Sequence, residues 1–152
     1  MKDVYFDAIM AIERLHRLFL DVVKAEIDRM RIADINNVQC FILYNIGTSR
    51  LTVGEVSNRG YYLGSNVTYN LKKMVENGYL EQEQSQHDKR SSYVKLTKKG
   101  MDLYQRFDQI LGQHVKNLKH NNMADADLKE LKSLLQRLEA FWTFTITHDI
   151  RF

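Results

Sequence analysis

The sequence predicts a mainly helical chain with one small β-hairpin, on three observations. Over most of its 152 residues apolar side chains recur at intervals of three and four, the spacing that lines one face of a helix. Proline, the strongest helix breaker, is absent. One stretch, 79–96, departs from the helical period and offers two short β-compatible segments around a polar turn.

Residues 4 to about 30 carry Tyr5, Ile9, Ile12, Leu15, Phe19, Val22, Val23, Ile27 and Met30 at helical spacing, which predicts a long amphipathic helix. Phe6, Leu18 and Leu20 lie off that stripe and widen the apolar face beyond what one packing partner needs, so a subunit contact is expected there. A second helix is predicted over Asn36–Ile46. Asn36 is its cap, Gln39 completes a capping box, Gly47 is the stop, and Val38, Phe41, Ile42 and Ile46 point inward. Thr52 and Glu55 form a second capping-box pattern, opening a short helix that ends near Arg59 with Gly60 as its stop.

Gly60 to Gly64 reads as a tight connection, after which Ser65 caps a fourth helix that runs to Asn77 and stops at Gly78. In this helix Val67, Leu71 and Met74 share one face, while Asn66, Tyr69, Asn70 and Lys73 share another. Two helices joined by a short glycine-containing turn, the second offering amides and cations outward, form a helix-turn-helix arrangement. The strands 79–84 and 91–96 enclose a basic tip, which makes the hairpin a wing. Thr97 then caps a long helix bearing Met101, Tyr104, Phe107, Leu111, His114, Val115 and Leu118. Its partner begins near Asp125 after the turn-prone 120–124 link and carries Leu128, Leu131, Leu134, Leu135, Leu138, Phe141, Trp142 and Thr145.

Charge is informative by location. The net +3 is small, but Arg59 to Lys99 holds eight Lys/Arg against four Asp/Glu, while the remainder is 14 against 15. The basic excess therefore sits on the helix-turn-helix and wing. The single Cys40 excludes an intramolecular disulfide or cysteine-rich zinc site, and the five histidines lack metal-binding spacing, so no metal or cofactor is expected. No phosphate loop, nucleophile elbow or recognisable carboxylate pair is present, so no catalytic residue is assigned and no enzyme is expected. No apolar run approaches the roughly 18 residues that span a bilayer, and no secretory leader is visible; a cytoplasmic chain away from membranes is the expectation.

Several motifs resemble those of the MarR family of bacterial winged-helix transcription regulators. They are Leu51-Thr52-Val53-Gly54-Glu55-Val56, Val67-Thr68 with Gly78 following, His87-Asp88-Lys89-Arg90-Ser91 at the wing, and Leu96-Thr97-Lys98-Lys99-Gly100 at its exit. The pattern of Arg59–Asn70, with Tyr61-Tyr62, Gly64 and Tyr69-Asn70, departs from the commonest form and is closer to an alphaproteobacterial branch of PetP-like and LdtR-like regulators. The resemblance implies a single domain over 1–152, with a winged-helix DNA-binding lobe at 35–100 flanked by dimerisation helices at 1–34 and 101–152. It also implies a homodimer on a palindromic double-stranded operator.

Under that reading Ser65, Asn66, Thr68, Tyr69, Asn70, Lys72, Lys73, Lys89 and Arg90 contact DNA. Asp88 orients Arg90 by a charge-assisted hydrogen bond. The resemblance further implies modulation by a small aromatic or anionic effector, for which His16, Phe19, Tyr44 and Phe107 are the candidate residues. Two alternatives stay open: a helical protein-interaction module with a degenerate winged helix, and a thiol-based redox sensor acting through Cys40. The apolar Val38–Leu43 setting favours a buried structural thiol over a reactive one.

Overall fold

The computed structural model describes residues 1–60, 64–88 and 90–148, the side chains of Gly64 and Ser65 excepted. The elements run α1 (Lys2–Arg29), α2 (Asn37–Ile46), β1 (Leu51–Thr52), α3 (Val53–Gly60), α4 (Gly64–Glu76), β2 (Leu80–Gln84), β3 (Ser92–Leu96), α5 (Lys98–His120) and α6 (Asp125–Thr147). The chain divides into two compact units, Met1–Asp108 and Gln109–Phe152.

The first unit is built around α2. Asn36 Oδ1 accepts the Gln39 amide at 2.8 Å and Gln39 Oε1 accepts the Asn36 amide at 3.2 Å, so the expected capping box is complete. Gly47 closes the helix at φ +55°, a conformation that suits glycine. The inward set is broader than the sequence suggested: Gln39, Cys40 and Leu43 are buried with Ile42 and Ile46, while Val38 and Phe41 are half-buried. The reason is that α2 lies against α1, α3, α4 and β3, and a helix surrounded on several sides needs no single inward stripe. Phe19 of α1 meets Phe41 edge-on at 5.6 Å, and Asn37 Nδ2 donates to the Leu20 carbonyl at 3.2 Å.

The sheet has the order β1-β3-β2 and is antiparallel throughout. Leu80 opposite Leu96 and Gln82 opposite Val94 set the register, placing Leu80, Val94 and Leu96 on the buried face and Glu81, Glu83 and Lys95 on the other. The strand β1 was not visible in the sequence, being two residues that pair with Val94 and Tyr93. Thr52 also caps α3, its Oγ1 accepting the Glu55 amide at 3.1 Å. Of the predicted connection Gly60–Gly64, the two glycines belong to α3 and α4 and residues 61–63 lie outside the described residues.

The helix α4 ends in two backbone bonds, Tyr79 N–H to the Met74 carbonyl at 2.9 Å and Gly78 N–H to the Val75 carbonyl at 3.0 Å, with Gly78 at φ +81°. This is a Schellman closure, and it fixes where β2 begins. Thr97 caps α5 as expected: its Oγ1 accepts the Gly100 amide at 3.1 Å and donates to the Gly78 carbonyl at 2.6 Å. Helix α4, the hairpin and the start of α5 are thereby joined at one point.

The second unit comprises the rest of α5, a turn at 121–124 and α6. Asn122 takes the left-handed conformation at φ +61°, and Asp127 Oδ2 accepts the Ala124 amide at 2.7 Å where α6 begins. Leu131, Leu134, Leu135, Phe141 and Phe144 are exposed along α6. No described helix is long and apolar enough to cross a membrane.

Candidate nucleic-acid interface

Helix α4 divides by side. Val67, Leu71 and Met74 are buried, anchoring the helix, while Asn66, Thr68, Tyr69 and Lys72 are exposed, Tyr69 by 61%. Lys73 is half-buried, 3.3 Å from Glu76 and with its Nζ 6.0 Å from the centre of the Tyr69 ring. One expectation needs correction. The helix begins at Gly64, so Ser65 is its second residue rather than its cap.

Asn70 also differs from the outward-facing residue the spacing implied. It is half-buried, its Oδ1 accepting from Gln39 Nε2 at 3.1 Å and its Nδ2 donating to the Asn66 carbonyl at 2.8 Å. A partner 31 residues away is invisible to helical periodicity. Gln39 was expected only as the capping-box partner of Asn36, and its burial and its bond to Asn70 were not expected; its place among apolar neighbours in Val38-Gln39-Cys40 was the available signal.

At the wing, the turn is held by backbone and by Asp88. Ser85 N–H donates to the Ser91 carbonyl at 2.8 Å, and Asp88 Oδ1 accepts the Arg90 amide at 2.9 Å. Asp88 Oδ2 accepts from Ser91 Oγ at 3.3 Å. The expected Asp88–Arg90 link is thus made to the backbone of Arg90 rather than to its guanidinium. Asp88 shapes the turn and leaves the Arg90 side chain exposed. Lys89 lies outside the described residues.

The basic excess is only partly available. Glu83 sits between Lys95 at 3.2 Å and Arg50 at 3.0 Å, and Arg50 lies over the Tyr93 ring at 4.3 Å. These cations hold the Glu83 carboxyl below its ordinary range, Lys95 foremost, and Glu83 in turn raises Lys95. Lys99 is likewise engaged with Asp34 at 2.6 Å. Lys72 and Arg90 are the exposed cations of the recognition helix and wing tip among the described residues.

The candidate effector residues His16, Phe19, Tyr44 and Phe107 lie on α1, α2 and α5. Tyr44 stacks on Tyr104 at 5.1 Å, meets Phe107 edge-on at 5.3 Å and donates to Asp108 Oδ1 at 2.8 Å, so Phe107 is a covered core residue. The Asp108 bond, with burial, pushes the Tyr44 hydroxyl up to about 12. Phe19 packs on Phe41 and His16 is exposed. A cleft of about 610 Å³ is lined by Arg31, Asp34, Tyr79, Lys98, Lys99 and Arg106 among others. Cys40 is fully buried and its thiol is pushed up to about 12 by that burial, the setting of an inert structural cysteine. Among the described residues no cluster of metal-ligating side chains occurs.

Comparison with known proteins agrees with this geometry. Residues 35–100 match the winged helix DNA-binding domain family. The chain is 34% identical over 138 residues, 91% of its own length and 71% of the other's, to the exopolysaccharide II synthesis transcriptional activator ExpG of Rhizobium meliloti (strain 1021). In fold it is similar to AbsC, a MarR family transcriptional regulator from Streptomyces coelicolor, with a TM-score of 0.75 at 16% identity over 94% of this chain and 97% of that one. It is also similar to Streptococcus pneumoniae FabT, solved in complex with DNA, with a TM-score of 0.72 at 21% identity over 91% and 97%. ExpG and AbsC are transcription regulators rather than enzymes. The chain belongs to the same family as the transcriptional activator ExpG, carries a winged helix DNA-binding domain over 35–100, and has the fold of the MarR family regulators.

Proposed function

We propose that the chain binds a palindromic double-stranded operator as a homodimer, with the exposed side of α4 in the major groove and the hairpin against the flanking backbone or minor groove. The observation that carries this reading is the division of α4: three apolar residues fix it in the lobe while Asn66, Tyr69 and Lys72 are exposed beside a hairpin tipped by Arg90. Asn66 has the amide geometry that pairs with adenine, and Lys72, Lys73, Lys89 and Arg90 supply phosphate or minor-groove contacts. Ser65, in the first turn of α4, adds a hydroxyl where helix amides attract phosphate. That FabT was solved on DNA supports the same partner here.

The homodimer rests on apolar side chains left uncovered within one chain. On α1 these include Phe6, Leu15, Leu18 and Val22, and on α6 Leu131, Leu134, Leu135, Phe141 and Phe144. In this reading 1–152 acts as one regulatory domain, 35–100 being the DNA-binding lobe and 1–34 with 101–152 the dimerisation helices. Two recognition helices about one DNA turn apart, roughly 34 Å, would meet successive major grooves. Work on chromosomal DNA places the chain in the cytoplasm. The finer assignment to the PetP-like and LdtR-like branch rests on the pattern of 59–70 alone.

Modulation by a small aromatic or anionic effector belongs to the same reading. It requires a ligand that binds two lobe spacings with unequal affinity, and operator affinity that stays constant at saturating ligand sinks it.

Selection of bound sequences from random DNA by the purified chain tests the main proposal. The expected result is a palindrome bound by a particle of dimer mass in sedimentation, with affinity falling about 10³-fold or more between roughly 50 and 200 mM salt. Arg90→Ala should weaken that binding and leave the dimer intact. No binding at low salt would instead favour a winged helix turned to protein interaction.

A further inference from the structure

Among the described residues Gln39 is the one buried side chain bearing an amide or a charge, 6% exposed in the first turn of α2. A buried amide is tolerated only when its hydrogen bonds are made, and no buried polar side-chain atom among the described residues lacks a partner. The direction of each bond is dictated by the one before it. Gln39 Oε1 accepts the Asn36 amide at 3.2 Å, so its Nε2 must donate, and the acceptor it finds is Asn70 Oδ1 at 3.1 Å. With Oδ1 facing Gln39, Asn70 presents Nδ2 to the Asn66 carbonyl of its own helix at 2.8 Å. A continuous relay thus runs from the capped start of α2 to the backbone of the first turns of α4.

We propose that Gln39 and Asn70 form a strut that sets the angle of the recognition helix, so that both govern operator affinity without reading a base. The proposal rests on the DNA-binding reading of α4. Asn70 is an amide of the type that pairs with adenine and lies on the helix that carries the exposed polar residues, but its two polar atoms are committed to α2 and to its own backbone. Swinging it toward a base would strand the Gln39 N–H inside the lobe. Asn66 and Tyr69 carry no such duty toward α2 and are left to face the operator. Buried Val67 and Leu71 hold the depth of α4, and the strut adds direction, because hydrogen bonds are directional and apolar packing is not.

The test uses the full chain and the operator found by selection. Asn70→Ala and Gln39→Met, the latter keeping the buried volume, should each lower operator affinity roughly tenfold, the effect of one lost net hydrogen bond. The double variant should lose no more than the worse single one, since both remove the same bond. Repeated selection with Asn70→Ala should return the wild-type half-site, and affinity for random duplex should be unchanged. Thermal melting of each variant confirms that the comparison is between folded proteins.

A preference relaxed at one base pair by Asn70→Ala would make Asn70 a reader and overturn the strut. Unchanged operator affinity in folded variants would reduce the bond to a core feature and overturn it equally. If the wild-type chain itself binds no DNA at low salt, the DNA reading falls and the strut with it, whereas wild-type binding with indifferent variants removes the strut alone.

Discussion

Gly100 shows how tightly a single residue can be specified. A Cβ built on it would lie 2.2 Å from the Tyr79 carbonyl oxygen, a backbone atom that also accepts the Thr97 amide at 3.1 Å and cannot step aside. Gly100→Ala should therefore destabilise the first unit by about 1–3 kcal/mol, as overpacked sites do, and the loss should appear as a lower urea midpoint with an unchanged slope. An unchanged midpoint would mean that the β2 start can retreat from α5. The glycine was legible in the leucine-threonine-x-x-glycine run, but its reason was not, since the atom it avoids is 21 positions earlier in the chain. The same contrast separates Val67, Leu71 and Met74, whose burial follows from helical spacing, from Asn70, whose orientation is set by a partner on α2.

Between elements, the largest device outside α4 is the clasp around Asp34, in the link between α1 and α2. Tyr79 Oη donates to Asp34 Oδ1 at 2.5 Å, Lys99 Nζ donates to Asp34 Oδ2 at 2.6 Å and to the Asn77 carbonyl at 2.8 Å, and Asn77 Nδ2 donates to the Asp34 carbonyl at 2.9 Å. The starts of β2 and α5 are tied to the Asp34 carboxylate, and the end of α4 to its backbone carbonyl. Lys99, followed by Tyr79, holds the Asp34 carboxyl below its usual value of 3.8, while burial and then Asp34 push Tyr79 upward. The sign follows directly. A depressed carboxyl contributes stability that is present above its unfolded pKa, about 3.9, and is lost as pH falls through the lower folded value.

Asp34→Asn keeps an acceptor for Tyr79 but removes the charge facing Lys99. The wild-type advantage over this variant in urea unfolding should be full at neutral pH and shrink below about pH 4. An advantage that is the same at pH 7 and pH 3 would deny the clasp any electrostatic part. Short-range devices such as the Asn36–Gln39 box, the Thr97 cap and the Gly78 stop were legible because their partners lie within a few residues. The clasp spans 45 and 65 positions and β1 pairs across some forty, so neither leaves a local pattern. The Ser65 expectation failed by one residue because Gly64, expected to end the connection, had already entered the helix.

For the whole molecule, helix count, hairpin and family were readable because each rests on periodicity or on contiguous motifs. The candidate effector residues His16, Phe19, Tyr44 and Phe107 are spread over three helices, so no contiguous motif marks them. The uncovered apolar rows of α1 and α6 have a thermodynamic consequence that reaches beyond shape. If those rows are covered only by a second copy, folding and association are one equilibrium, and mass action makes the melting temperature rise with protein concentration. A melting point that is constant over a hundredfold dilution would show the rows to be stable bare. Otherwise the number of copies in the cell sets how long each one survives: a scarce regulator spends more time as single chains with exposed leucines and phenylalanines, open to proteolysis, and an abundant one protects itself.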